Sequence, residues 1–311
     1  MTLALAVDIG LALLVLAVAG WTIAVRDTFA AVIGFVAYGL LLALVWVRLA
    51  APDVALTEAA VGSGLTGLLL LSASARLRHA KTSAAPPGPV LQWAAGALCI
   101  LIAAGLAALV LLLPDPAPTL APAAVAHLPA TGLGNPVTGV LMVYRAIDTF
   151  LESVVLLPAL LGVWSLASEG DWGGAPILRH PRPDGALTLM AQVLPPLGII
   201  VGVYLCWNSA DHPGGAFQGG AVLAAMWALV LLAGLADAPP IRQRGLRVLL
   251  VAGAAVLLAV GLAGIGLAGA FLAYPENYAK PLILAIEMAL VLSIAVALAL
   301  LIAGPPARTH S

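Results

Sequence analysis

The chain has 311 residues, 63% of them hydrophobic and 9% charged, with a mean hydropathy of +1.12. Soluble domains carry about 25% charged residues, so a water-exposed globule is excluded and the bilayer is the solvent for most of the chain. The net charge of −1 offers no attraction to nucleic acid, and Cys99 and Cys206, in separate apolar runs, read as small buried hydrophobes rather than a disulfide or metal pair.

A helix needs about 20 apolar residues to cross the hydrocarbon core. Eight runs meet this, at about 3–24, 29–49, 54–75, 90–113, 187–207, 216–235, 248–270 and 281–303. A ninth, about 137–166, is apolar but holds Arg145, Asp148 and Glu152. Backbone groups in lipid must be satisfied internally, and these lengths and the Leu/Ala/Val content favour helices over a barrel. The expectation is an all-α polytopic bundle of about nine transmembrane helices. Ala17-Val18-Ala19 resembles a signal cleavage site, but no basic residue precedes the apolar run and Asp8 stands where one is expected, so the first run reads as a retained span.

With the N-terminus outside and nine spans, the inner loops hold Arg26, Arg76, Arg78, Lys81, Arg179, Arg182, Arg242, Arg244, Arg247 and Arg308, ten of the thirteen basic residues. The outer loops hold Arg48 and Lys280, and Arg145 is inside a span. This bias puts the C-terminus inside. Residues 80–89 read as a flexible inner linker, 114–136 with six prolines as an irregular outer loop, and 167–186 as a polar joint. The resulting division is 1–82, 90–168 and 187–304.

Charged side chains in lipid are costly and face a bundle interior or a water path. In the third span Pro52 suits a helix start, and Asp53, near the interface, complements the N-terminal dipole. Glu58 lies over a turn deeper and is followed by Gly62, Gly64 and Gly67, which permit close packing or local unwinding. Glu58 either snorkels to the interface or faces an ion path. Arg145, Asp148 and Glu152, at i, i+3 and i+7, share one face of a single continuous helix, with Asp148 about 16 Å into the span. Either they form a salt-bridged seam or one carboxylate is left to titrate.

Pro195-Pro196 breaks the sixth span, which leads into Asn208-Ser209-Ala210-Asp211-His212-Pro213-Gly214-Gly215-Ala216-Phe217-Gln218-Gly219-Gly220. This glycine-rich turn lacks the Lys-Ser/Thr and the βαβ context of a phosphate loop. It fits an ion, a water path or tight packing, with Asp211, His212 and Gln218 as secondary candidates. His212 is either a proton shuttle or a surface polar residue. Glu287, about two turns into the last span, is either protonatable or paired across helices. No Cys/His set has metal or haem spacing and no catalytic triad is apparent, so no cofactor and no enzymatic activity are expected.

Ala51-Pro-Asp-Val-Ala-Leu-Thr-Glu-Ala-Ala-Val-Gly62 resembles the signature of the MbhD-type domain of membrane-bound hydrogenases, also found near the C-terminus of the large MnhA-type component of Mrp-type (Mnh) Na+/H+ antiporters. Residues 90–166, with Asn135-Pro136-Val137 and Tyr144 to Glu152, are similar to the MbhE-like stretch that follows it. Residues 187–303 resemble the MnhB component of the same antiporters, through His212 to Gly220 and the acid at Glu287. Two departures stand out: Ala216 interrupts a usually longer glycine run, and Glu287 replaces a common Asp.

The resemblance implies a fusion of MbhD-, MbhE- and MnhB-like parts in a bacterial inner membrane. It would be an accessory subunit partnered by large pumping and small membrane subunits that exchange Na+, or another monovalent cation, for H+. It also implies that Glu58 is the acid of the motif. No lysine lies inside any span, unlike the pumping subunits. A redox-driven complex of hydrogenase or formate hydrogenlyase type, and a purely structural scaffold, remain open. The topology expectation is checked by C-terminal fusions: a fluorescent protein should be bright in the cytoplasm, and a phosphatase should be inactive.

Overall fold

The computed structural model describes residues 3–79, 88–114, 116–167, 185–237, 239–240, 243–275 and 277–305. Among these, every regular element is helical. Lys81, Arg179, Arg182, Arg242 and Arg308, most of the 80–89 linker and nearly all of the 167–186 joint lie outside the described residues.

The N-terminal part comprises α1 (Leu3–Ala24), α2 (Thr28–Arg48) and α3 (Pro52–Thr57), which continues through a π-helical stretch, Glu58–Leu65, into α4 (Thr66–His79). Asp27 caps α2, its carboxylate accepting from the amide of Ala30 at 2.8 Å. α1 buries none of its residues and rests on α2, fastened by the Arg48 guanidinium, which donates to both oxygens of Asp8 at 2.8 and 3.1 Å. The middle part is α5 (Pro89–Leu112), α6 (Ala121–His127), a 3-10 turn (Leu128–Thr131), α7 (Pro136–Gly139), a π-helical stretch (Val140–Tyr144) and α8 (Ala146–Ser165). The C-terminal part is α9 (Ala186–Trp207), α10 (Ala216–Leu232), α11 (Arg244–Ala268) and α12 (Ala279–Ala303).

Among the described residues, eight helices are long and apolar enough to cross a membrane. α10 has 17 residues, the lower limit for a crossing. The protein is thus a multi-pass membrane protein with an all-helical fold, and each of the nine apolar runs overlaps one of these eight helices or α10, the 137–166 run only from Ala146 onward.

Four local expectations are corrected. Pro195 and Pro196 sit inside an unbroken α9. In lipid, abandoning the helix would orphan many more backbone groups than the two amides proline lacks, and transmembrane helices tolerate such residues. The proline-rich 114–136 stretch is partly helical, because Pro122 and Pro129 stand in first turns, where the missing N–H has no intrahelical partner. The 137–166 span is not one helix. Arg145 leaves helical geometry (φ −132°, ψ 36°) and α8 restarts at Ala146, so Asp148 lies in a first turn rather than deep in a span. Finally, Cys99 is exposed, whereas Cys206 is buried.

The core sits in the C-terminal part. α12 is central, with Ile283, Ile286 and Leu290 fully buried, and α9 and α11 flank the α10–α12 pair. Small residues make this possible. A Cβ on Gly219 would lie 2.7 Å from the carbonyl oxygen of Gly202, so α9 and α10 cross backbone to backbone. After α11, Gly269 at φ +83° turns the chain back, and the amide of Leu272 donates to Gly261 O at 3.1 Å. This return segment brings Tyr274 to the middle part, where its hydroxyl donates to Met142 O at 2.8 Å. Burial, and secondarily the carboxylate of Glu287, push the Tyr274 phenol up to about 12, so it stays a donor at neutral pH.

Gly219→Val should cost about 1–3 kcal/mol by overpacking and lower the unfolding temperature of the purified protein. Gly266→Val, on the same scale of change but with nothing within 4 Å of the added carbon, should leave that temperature nearly unchanged.

Candidate functional site

The three parts meet at a buried polar knot built on Asn135. Its side-chain oxygen caps α7, accepting from the amide of Val137 at 2.9 Å. Its side-chain nitrogen points at Ser209 O (3.1 Å), His212 O (3.0 Å) and the carboxylate of Asp53 (3.3 Å). The amides of Gly134 and Asn135 both donate to Ala210 O, at 2.9 and 3.0 Å, and Thr138 Oγ1 donates to Ser209 O at 2.7 Å. Asp53 is 7% exposed and receives the amide of Gly214 at 3.0 Å. From the first turn of α3, its carboxylate thus also ties that helix start to the neighbouring parts. Gln218, also buried, donates to Thr57 Oγ1 at 2.9 Å, a second tie between α10 and α3.

Below the knot lies a cavity of about 360 Å³ whose lining includes Thr57, Thr138, Glu152, Gly214, Gln218 and Glu287. It is walled by all three parts, and no Lys, Arg or His is among its described lining residues. Glu287 is 4% exposed and accepts a hydrogen bond from the hydroxyl of Ser209. Ser209 itself is held by the 208–215 turn, whose tight path depends on Gly214, packed on the carbonyl of Leu205, and on Gly215 at φ +154°. Glu152 projects from the second turn of α8 and stands on the accessible side of the cavity. Among the described residues, no group of three or more His, Cys, Asp or Glu side chains converges to hold a metal.

The other sequence candidates fall elsewhere. Arg145 pairs with Asp148 at 2.5 Å, the arginine exposed, so of the two alternatives for this trio the arrangement has two charges paired with each other and Glu152 lining the cavity. Asp211 accepts both contacts from Lys280 Nζ, at 2.7 Å each, on the accessible face of the turn. His212 is exposed and contributes its carbonyl. Gly220 packs against Ile294 of α12. Glu58 does not reach the cavity. It opens the π-helical stretch and lies against Gly62 and against Gly39 of α2, while Gly64 faces Ala59 O. The residues that sequence reasoning passed over are Asn135 as the organising amide, Thr138 and Ser209. The only sequence signal for them was the Asn-Pro helix start and the polar run after Trp207.

Fold and site together define a polytopic helical membrane protein with a buried carboxylate at the junction of three helical parts. Residues 13–79 match the MbhD family, the D component of MBH, and residues 186–304 match the domain related to the MnhB subunit of Na+/H+ antiporter. The two matched stretches, one near each end of the chain, are separated by residues 80–185, which neither family covers. A chain in the structure of an Mrp complex from Dietzia sp. DQ12-45-1b has a similar fold, with a TM-score of 0.74 and 22% identity over 97% of this protein and 35% of that chain. This protein therefore spans about a third of the length of that chain. No curated protein matches the sequence.

Removing the central amide should loosen the junction. Asn135→Ala leaves Ser209 O, His212 O and a buried carboxylate short of donors, each costing about 1–3 kcal/mol when unsatisfied. The unfolding temperature should fall markedly, and hydrogen exchange should rise at the amides of Gly134 and Gly214. Asp53→Asn, whose single side-chain oxygen can still accept from both Asn135 and Gly214, since the two converge on Oδ1, should cost less than Asn135→Ala.

Proposed function

We propose that this protein is a membrane subunit of an Mrp-type multi-subunit Na+/H+ antiporter, seated in a bacterial inner membrane beside large pumping and small membrane subunits, with its carboxylates contributing to the ion path. The division into MbhD-like (1–82), MbhE-like (90–168) and MnhB-like (187–304) parts, and the orientation with the N-terminus outside, belong to the same reading. The family matches at both ends of the chain support it, as does the likeness to the Mrp-complex chain.

The observation that carries the reading is Glu287. A carboxylate in a low-dielectric interior is costly unless paired, yet Glu287 has a serine hydroxyl for a partner and opens on a cavity whose described lining holds a second acid and no base. Such a chamber attracts cations and protons. Glu152 stands at its accessible side, Glu287 at its closed end, and Thr57, Thr138 and Gln218 supply oxygens and an amide between them. The Arg145–Asp148 pair sits next to Glu152 in sequence and adjusts the field at that side. Lys280–Asp211 anchors the turn that carries Ser209.

A second reading, a redox-driven ion-pumping complex, draws on the MbhD match. Purifying the native complex separates the two: hydrogenase and iron–sulfur subunits on one hand, antiporter subunits alone on the other. The chain by itself, in proteoliposomes, should show no antiport.

Glu287→Gln should leave the complex assembled, since a carboxamide still accepts from Ser209, but should lower cation-dependent dissipation of ΔpH in everted vesicles by at least about tenfold, the equivalent of about 1.4 kcal/mol. Glu287→Asp should retain part of it. Transport at the wild-type rate with Gln at 287, with assembly measured in parallel, would overturn the proposal.

A further inference from the structure

Ser209 has one hydroxyl hydrogen and two acceptors for it. Its Oγ is in direct contact with Glu287 Oε2 and stands 2.7 Å from the carbonyl oxygen of Cys206. A serine hydroxyl donates once and accepts twice, so it can serve the two only in turn. While Glu287 is ionised, the hydrogen goes to the carboxylate, and the Cys206 carbonyl still receives the backbone amide of Ser209 at 3.3 Å. Once Glu287 carries a proton, its own O–H donates to Ser209 Oγ, and the serine hydrogen turns to Cys206 O. Uptake thus adds one proton to the carboxylate and removes none from Ser209. An unsatisfied polar group in a dry interior is costly, and here neither charge state leaves one.

The same contact is too close for a metal ion. Two oxygens that ligate one small hard cation, each about 2.0–2.6 Å from it, stand about 3 Å or more apart. Oxygens that share a hydrogen approach to about 2.5–2.8 Å. Ser209 is fully buried, and its carbonyl is fixed by Asn135 at 3.1 Å and Thr138 at 2.7 Å, so the hydroxyl is held in place against the acid.

The neighbouring groups leave the titrating proton to Glu287. α9 presents the Cys206 thiol, which donates to Met288 Sδ at 3.3 Å. The return segment presents Tyr274, engaged with Met142 O. α8 presents Glu152 on the accessible side of the cavity, and the described lining from α10 is Ala216, Phe217 and Gln218, with no titratable group. Arg244 and Arg247 of α11 flank Leu246, which packs on Val296 and Leu300 near the far end of α12. Asp53 of α3 is engaged by Asn135 and Gly214, and Lys280 and Asp211 pair with each other beside the exposed His212.

We infer that the ion handled at Glu287 is the proton, to the exclusion of the alkali cation, and that Ser209 is the positioning residue that keeps this acid hydrogen-bonded in both charge states. The inference rests on the reading of Glu287 as part of an ion path, and it names the ion.

The test is infrared difference spectroscopy of the full purified chain, titrated from acid to alkaline pH in NaCl and in choline chloride at equal ionic strength. The band of the protonated Glu287 carboxyl is assigned by its loss in Glu287→Gln. It should fade as pH rises, with the same midpoint in both salts. A cation bound to the ionised form would compete with the proton and move the midpoint to lower pH in NaCl. Ser209→Ala removes the donor to the ionised form, and a hydrogen bond to a charged group is worth more than a neutral one. The midpoint should therefore move to higher pH by about one unit, a tenfold change in the ionisation equilibrium. The carboxyl O–H also loses its acceptor in that variant, so its C=O band should move to higher frequency. A midpoint lowered by Na+ overturns the exclusion of the cation and leaves the ion-path reading standing. A midpoint and band unmoved in Ser209→Ala overturn the role of Ser209. A band that does not change with pH overturns both parts. The salt comparison on wild type decides the ion even if Ser209→Ala fails to fold. Wild-type transport in Glu287→Gln alongside a salt-independent midpoint would end the ion-path reading and spare the proton site.

Discussion

The structure depends on one side-chain amide. In a bilayer no water arrives to satisfy a stray carbonyl, so the carbonyls of Ser209 and His212, freed where the chain turns between α9 and α10, must find donors within the protein. Asn135 supplies them, and in doing so binds the start of α7 to that turn and to Asp53 at the start of α3. The cavity exists because three parts meet there without filling the space beneath. Ser209 can face Glu287 because its carbonyl is already occupied by Thr138 and Asn135.

Two segments of π-helix flank this junction, Glu58–Leu65 in the N-terminal part and Val140–Tyr144 in the middle part. Such irregularities occur where function or close packing sets the side-chain directions. Here each redirects a polar group. The first packs Ser63 and Glu58 against Gly39 of α2. The second ends at Arg145, and the restart at Ala146 is what sends Glu152 to the cavity and leaves Asp148 beside Arg145.

The spans were legible because bilayer thickness imposes length and hydropathy on every crossing segment, a constraint written locally in the residues. Glu58, Glu152 and Glu287 were legible as candidates because acids in apolar runs are costly and so conspicuous. The breaks were not. Pro195-Pro196 carries a strong helix-breaking signal that lipid overrides, while Arg145, with no Gly or Pro beside it, carries none. Asn135 and Asp53 are joined across 82 positions, and Gly214 and Asp53 across 161. Pairings at that range leave no periodicity to read. Asp53 therefore looked like a helix-start residue, which it also is, and its larger role was hidden.

α5 buries none of its residues, and its Gly96 and Gly105 have no neighbouring atoms within 4 Å. The junction does not pass through it: the knot is made by Gly134, Asn135 and Thr138, well downstream, and the N-terminal part joins the rest through Asp53 and Thr57. As far as the described contacts go, covalent continuity and structural continuity run by different routes. A break in the polypeptide near α5 would leave the recognition surfaces on either side intact, so the two pieces carry the complementary donors and acceptors needed to find each other as separate chains.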